Sequence, residues 1–509
     1  MKLYILSTFV FILVFVLYFL SKIFFEKNFK IKREAGESLI PFGEKLGAIG
    51  GIYLFLAPIV AMEWGYVPTI LITLAMMIFL GYPLSFLSTL LGLRENLKEK
   101  LTNNKYFKNI ILIFLIIFSL IISISFIHYT TELLGQNRGI STSFLLLIFL
   151  SFIFSYFLMK KKEEIIPYTI FFLVFLFYII FLGGFYPFSL PFKVVTEKFT
   201  FGLIVIGLII LFVFLKDELL SKPFSYLSSY LLFVILFAGF FGPFIGLRIQ
   251  REEFIFVSSR GLMIPLIFGT LSFVVFSGFE SLFSILYTSN EVKGEKSVSK
   301  VSLLPLSILS LTGIVSSFSL IIYAKTEPLI KGKDPLTLFQ EGMAKFLRFA
   351  GLSESYSKNF VLFLTVVFMF SFIVYSLKSL KKCIGYIEFK RGNLIVPIII
   401  ILTFLTFFLP KDFLGGITNW WLRLINVNTS ANFLLASIML LFISFLLKLK
   451  EYIFISKILN ILSTLLFIYL IFINLKDFVS LFLSIIFLSI SLSSLYLSFK
   501  IKEYDKSSI

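Results

Sequence analysis

The sequence predicts an all-α polytopic membrane protein. Three observations carry the prediction. Of 509 residues, 59% are hydrophobic, and the mean hydropathy is +1.01. Apolar runs of about 20 residues, the length that crosses a bilayer core, recur along the chain. Lysines and arginines crowd into the short segments between those runs. A soluble domain keeps roughly half its residues polar. A transmembrane barrel would alternate apolar and polar residues instead of showing solid apolar runs.

Taken in order, the runs give about fifteen spans. They fall near 3–25, 44–62, 66–93, 107–128, 141–159, 166–184, 200–216, 226–246, 261–289, 300–324, 358–377, 393–409, 431–447, 453–473 and 478–499. The first reads as a retained span and not as a signal peptide. Its apolar core is too long for an h-region, and no small-residue cleavage site follows. Basic residues cluster after every second span: Lys27, Lys30, Lys32 and Arg33; Arg94, Lys98, Lys100 and Lys105; Lys160, Lys161 and Lys162; Lys293 and Lys296; Lys378, Lys381, Lys382, Lys390 and Arg391; Lys448 and Lys450; Lys500 and Lys502. The positive-inside rule makes that side cytoplasmic. The expectation is a multi-pass inner-membrane protein with its N-terminus outside and its C-terminus in the cytoplasm.

The longest segment on the other side is 325–357. Asp334-Pro335 suits a helix start, and Leu338, Phe339, Met343, Phe346 and Leu347 share one helical face. An amphipathic helix at the outer interface is expected there, with a gate or lid as a further role. Trp420 and Trp421 also suit an interface. The chain divides into an extra span and basic loop (1–43), a core (44–450) and extra C-terminal spans with a short tail (451–509).

The net charge of +18 sits in loops and makes no basic face or recognition motif, which excludes nucleic acid as a partner. Cys383 is the only cysteine and His128 the only histidine, so a disulfide, a multi-cysteine or histidine metal site and a relay of several histidines are excluded. His128, in "SFIHYTTEL", reads as an interfacial structural residue. No Walker A sequence occurs, and "GAIGG" lies outside any βαβ context, so nucleotide cofactors are not expected. With no paired His and Asp, no metal set and no activated nucleophile, an intramembrane enzyme is disfavoured.

Two spans are interrupted. In "FGEKLGAIGGIYLFLAPIVAMEWGYVP" (42–68), Gly43, Gly47, Gly50 and Gly51 are followed by Pro58. In 261–290, Pro265, Gly269 and Gly278 precede "FESLFSILYTSN". Interrupted helices expose carbonyls that need partners. Transporters place their substrate sites at such breaks, one in each half of an inverted repeat. Close packing through small residues is the alternative. Glu280 is the only charge between Gly261 and Asn290. A carboxylate inside the membrane bears a large desolvation cost that a proton or a nearby cation removes. Glu63, beside Trp64, reads as solvated at the outer turn. Glu44 and Lys45 are expected to pair with each other or to face the cytoplasmic interface.

These two stretches resemble the carbon starvation protein A family, whose members are peptide or pyruvate transporters. The family motif FGHHFAxIAGAGPIVGPxLA followed by GYLP is similar to "FGEKLGAIGGIYLFLAPIVA" followed by "WGYVP", through Phe42, Gly43, Ile49, Gly51, Pro58, Ala61, Gly65, Tyr66 and Pro68. Arg94 falls at the arginine that ends the family's next helix. "SKPFSYLSS" resembles a later family segment through Pro223, Tyr226, Leu227, Ser228 and Ser229. The family's PFLFITIACGAISGFHSL is similar to "PLIFGTLSFVVFSGFESL" through Pro265, Phe268, Thr270, Ser277, Gly278, Phe279, Ser281 and Leu282. Downstream, Ser284, Thr288 and Ser289 also match. Lys378 and Lys381 stand where the family has arginines, and Asn432, Leu434, Leu435 and Ala436 echo its NQLLA. The departures concern ionisable groups. Paired histidines become Glu44 and Lys45, a His-Asp becomes Leu84 and Ser85, an Arg-Asp becomes Phe224 and Ser225, an aspartate becomes Val374, and the histidine of SGFH becomes Glu280.

The resemblance implies a secondary transporter for short peptides or a small carboxylate such as pyruvate. Its bundle would be of the amino acid–polyamine–organocation type, with two discontinuous helices. The implied substrate and ion site comprises Glu280, Ser277, Gly278, Phe279, Ser281 and Thr288 facing Gly50, Gly51 and Pro58. Glu280, as the surviving ionisable group, would take a coupling proton or a substrate amine; sodium is the other coupling ion that the family suggests. The competing expectation is a descendant that kept the bundle, lost transport and serves as a scaffold or subunit of a membrane complex.

Overall fold

A computed structural model describes residues 3–31, 39–50, 64–95, 105–160, 165–188, 197–250, 278–292, 294–322, 335–387 and 392–409, with shorter stretches elsewhere up to 461. The helices are α1 (Leu3–Asn28), α2 (Leu39–Ile49), α3 (Tyr66–Met76), α4 (Tyr82–Glu95), α5 (Lys105–Gln136), α6 (Arg138–Lys160), α7 (Ile165–Phe185), α8 (Glu197–Phe214), α9 (Ser221–Phe241), α10 (Gly278–Phe283), α11 (Lys296–Ile321), α12 (Pro335–Leu347), α13 (Glu354–Ile387) and α14 (Ile395–Leu405). A π turn, Met77–Gly81, joins α3 to α4. A second, Ser284–Thr288, continues α10 into a last helical turn. The one described strand pairing is a two-residue hairpin, Val257–Ser258 with Gly261–Leu262.

Local chemistry sets the boundaries. Asn137 stands between α5 and α6, and its Oδ1 accepts from the N–H groups of Gly139 and Ile140 at 3.1 and 3.3 Å, capping α6. Pro335 opens α12, where its missing N–H leaves nothing unsatisfied. Gly351, at φ 72°, closes the short 3₁₀ turn that follows α12.

Eight described helices are long and apolar enough to cross a membrane, so this is a polytopic helical membrane protein. The expected count of about fifteen is not reached among the described residues. The stretches 200–216, 393–409 and 431–447 carry shorter apolar helices. The spans at 44–62 and 261–289 are described only in part, and 453–473 and 478–499 lie almost wholly outside the described residues.

Burial separates the centre from the rim. In α11 and α13 the apolar window is 94% buried, whereas in α1 and α7 it is 33% buried. The outward faces of α1 and α7 carry Phe9, Ile12, Phe19, Ile170, Val174 and Phe185, as lipid contact demands. The centre is serine-rich. Ser302, Ser307, Ser316 and Ser319 of α11 are buried and return their hydroxyls to carbonyls three or four residues back. That arrangement satisfies the hydroxyls and keeps the helix surface slim for close packing.

Two expectations change here. The helix at 335–347 exists, but its apolar face is buried in protein. Phe339, Met343, Phe346 and Leu347 are covered, and α12 packs on α9, α11 and α13. His128 is buried inside the bundle, because α5 continues eight residues further, to Gln136. Its Nε2 lies 2.8 Å from Thr406 Oγ1, and its ring lies 4.5 Å from that of Phe407.

Candidate functional site

The short helix α2 is the organising element. Gly43 and Gly47 bring it against α9. A Cβ on Gly47 would stand 1.8 Å from the Ser225 carbonyl oxygen, and one on Gly43 would stand 2.6 Å from the Tyr226 ring. These two glycines therefore serve close packing. Gly50 ends the helix in a turn and meets Leu232 and Phe368, so the break expected in this span does occur.

Consecutive helical residues point about 100° apart, and neighbours at i and i+1 do not face each other. That corrects the expected pairing of Glu44 with Lys45. Lys45 turns towards α4 and α10, and Glu44 turns towards α13. Both are buried in the bundle.

Lys45, fully buried, pairs with Glu280 at 2.9 Å, where the Glu280 side chain is 4% exposed. Its ammonium also donates to Ser85 Oγ at 2.7 Å and to Ser284 Oγ at 3.1 Å. Ser85 in turn donates to the Ser302 carbonyl on α11 at 3.2 Å. Ser281 and Ser88 share a hydrogen bond of 2.5 Å beside the pair. Ser284 opens one π turn, and Ser85 lies one helical turn past the other. Such turns gather at functional sites because they re-aim side chains.

Glu44 Oε1 accepts from the Tyr375 hydroxyl at 2.9 Å, and the same hydroxyl lies 3.2 Å from the Ser221 carbonyl oxygen. Beyond them is a rim of charge. Lys222 pairs with Glu291 at 2.5 Å. Asp217 pairs with Lys378 and, at 3.0 Å, with Lys382. The Lys382 ammonium stands 3.2 Å from the centroid of the Tyr287 ring. Burial pushes the Asp217 carboxyl up, but the Lys378 and Lys382 ammoniums outweigh it and hold Asp217 below the usual carboxylate range. Arg94 grips Glu295 with two bonds of 2.7 Å and donates to the Phe29 carbonyl at 3.0 Å. Among the described residues, no group of three His, Cys, Asp or Glu is placed to hold a metal ion.

The sequence of this chain matches the family model described as Carbon starvation protein CstA over residues 35–327. The chain belongs to that family. No curated protein matches it in sequence. The match covers α2, α4, α9 and α10, the helices that carry Glu44, Lys45, Ser85, Ser221 and Glu280. It ends before Tyr375, Lys378 and Asn432.

The expected site of this CstA family member is brought together in part. Glu280 and Ser281 face α2 and α4, but Glu280 meets Lys45, not Gly50. Phe279 points elsewhere: it stacks on Phe118 and meets Phe372 edge to face, with ring centroids at 5.1 and 5.4 Å. Gly278 opens α10. Pro58 is buried, and Thr288 is buried at the end of its π turn. Ser277, Gly51, Glu63, Trp420 and Trp421 lie outside the described residues. Glu280 is also not the only ionisable group left inside: Glu44, Lys45, Lys222 and Lys378 are buried with it. Three of these five, Glu44, Lys45 and Glu280, stand where the family motif carries histidines. Those three substitutions, taken together, were the signal that pointed to a rebuilt site. Ser284 matched the family segment and Ser85 replaced one of its ionisable groups, yet neither was assigned to the site; Tyr375 gave no sequence signal of its own.

Proposed function

We propose that this CstA family member is a secondary transporter of the inner membrane, with its N-terminus outside. In this reading it takes up short peptides or a small carboxylate such as pyruvate. Its bundle is of the amino acid–polyamine–organocation type, with breaks in the spans of α2 and α10. The supporting observation is the Lys45–Glu280 pair, which joins α2 to α10. A buried ion pair is a poor device for stability, because desolvation cancels most of the attraction. Ionisable groups within a membrane bundle instead mark substrate and ion paths. A substrate carboxylate would exchange onto Lys45 and a substrate ammonium onto Glu280, with Ser85, Ser281 and Ser284 as neutral polar contacts. Membership of the carbon starvation family supports this reading.

The test is uptake of labelled dipeptide and of labelled pyruvate into proteoliposomes, with Glu280→Gln beside the wild type. Uptake of either compound by the wild type, reduced at least tenfold in Glu280→Gln, is expected. Equal uptake in both removes Glu280 from the site.

One observation favours a second reading. The Lys45 ammonium has three hydrogens and three acceptors, Glu280, Ser85 and Ser284, all within the protein. A lysine satisfied in that way also fits a structural clamp in a bundle that has become a scaffold or subunit. No uptake of either compound by folded wild-type protein would select this reading.

A further inference from the structure

The Lys45–Glu280 pair leaves a question of charge. Glu280 already has a cation at 2.9 Å, so its charge is balanced without a proton. Glu44 is different. It is buried, and among the described residues no lysine or arginine lies within ion-pair distance of it; its hydrogen-bond partner is the neutral Tyr375 hydroxyl.

The hydroxyl is placed to serve two states. A phenol has one hydrogen and also accepts. With Glu44 ionised, Tyr375 donates to Oε1 at 2.9 Å. With Glu44 protonated, the new O–H donates to the Tyr375 oxygen, and the phenol turns its own hydrogen to the Ser221 carbonyl oxygen 3.2 Å away. Both states are hydrogen-bonded, and a rotation of the hydroxyl connects them. A carboxylate needed in only one state would not require the second acceptor.

The charges around Glu44 come from each side. The loop before α9 and the start of α9 supply Asp217 and Lys222. The turn after α10 supplies Glu291, and α13 supplies Lys378 and Lys382. On its own helix, Lys45 is committed to Glu280. Packed against it, α11 has no titratable group between Val301 and Ile321. Glu291 and Lys382 are 24% and 32% exposed, so the cluster reaches water at the rim.

We propose that Glu44 binds the coupling proton, with Tyr375 as the two-state hydrogen-bond partner that positions it. The proton comes from water at the rim, and a Glu44 carboxylate oxygen takes it. Tyr375 keeps its own proton, and no other bond is made or broken. The inference rests on the transporter reading for the word coupling, but not for the proton site itself.

Infrared difference spectra of the protein in lipid, between neutral and alkaline buffer, where exposed carboxyls stay ionised throughout, read the site without transport. The carboxylic-acid C=O stretch is expected to titrate in the wild type, to vanish in Glu44→Gln and to persist in Glu280→Gln. In Tyr375→Phe the ionised form loses a charge-assisted hydrogen bond, while the neutral form loses a weaker one. The titration midpoint should therefore rise, by about one pH unit. Persistence of the titrating band in Glu44→Gln overturns the proposal, as does an unmoved midpoint in Tyr375→Phe. In proteoliposomes, the ratio of uptake with an inward proton gradient to uptake without one should fall to about one in Glu44→Gln; a ratio like that of the wild type overturns the coupling role. A band lost in Glu44→Gln alongside a wild type that transports nothing sinks the transporter reading and upholds Glu44 as a proton site.

Discussion

Lys45 and Glu280 lie 235 positions apart in sequence and 2.9 Å apart in space. Each alone inside the bundle is an uncompensated charge, so Lys45→Met should destabilise the protein by about 3–5 kcal/mol. Lys45→Met combined with Glu280→Met should recover most of that loss. Thermal unfolding in detergent checks both variants; equal destabilisation by the single and the double change would show that the two charges are not coupled. Glu280 was legible in the sequence as a charge in an apolar run. Its partner was not, because the rotation that turns Lys45 away from Glu44 depends on which face of α2 meets α9. Asp217 offers a second test, outside the spans. Its carboxyl is held below the usual range, so its contribution is complete above the unfolded value, about 3.9. That contribution disappears as pH falls through the lower folded value. Asp217→Asn should therefore lower stability by about 2 kcal/mol at neutral pH. Its gap from the wild type should stay constant down to about pH 5 and close in stronger acid. Melting temperatures measured against pH decide it; a gap that widens in acid would mean that the lysines do not govern this carboxyl.

The close seat of α2 on α9 depends on backbone meeting backbone. A Cβ on Gly47 would overlap the Ser225 carbonyl oxygen at 1.8 Å, and rigid backbone cannot move aside as a side chain can. Gly47→Ala should cost about 1–3 kcal/mol and push Lys45 away from Ser85, lowering uptake as well as stability. Gly184→Ala, on α7 with nothing near its Cβ position, is the control and should change neither. Thermostability and uptake measured on both variants test the contact; a harmless Gly47→Ala would mean that α2 has room to shift. Glycine recurrence in 43–51 was visible in the sequence, yet it supported two readings, backbone loosening and close packing. The fold uses both, with packing at Gly43 and Gly47 and a helix end at Gly50. The amphipathic pattern of α12 was equally visible. A stripe of Phe339, Met343 and Phe346 shows that something apolar covers it but not whether that is lipid or protein. Gly342, whose Cβ position lies 2.1 Å from the Ser319 carbonyl oxygen, lets α12 seat directly on α11.

The whole molecule is tied together at one end. Phe29 of the α1 end is held by Arg94 at the end of α4, and Arg94 by Glu295 before α11. Asp217 before α9 is held by Lys378 and Lys382 of α13, and Lys222 by Glu291. These are ends that alternation of basic loops assigned to a single side, and their contacts bring them together at one end of the bundle. The opposite end carries its own ties. Gln250 N–H donates to the Ile321 carbonyl at 2.8 Å, and Ile255 N–H to the Trp64 carbonyl at 2.9 Å. Loop charge predicts that the basic end is cytoplasmic, which labelling tests. Cys383 is the only cysteine and is buried, so a Cys383→Ser background is blank to thiol reagents. Single cysteines placed there at Lys27, Lys160 and Tyr186 sample the two ends: Lys27 and Lys160 close α1 and α6 at the basic end, and Tyr186 follows α7 at the other. A membrane-impermeant maleimide should label Tyr186→Cys in intact cells, and Lys27→Cys and Lys160→Cys only after permeabilisation. The reverse pattern would invert the molecule and place the Glu44 rim on the outer face, where an inward proton gradient would load the site directly. Labelling of all three in intact cells would break the alternation between α6 and α7 and reopen the span count.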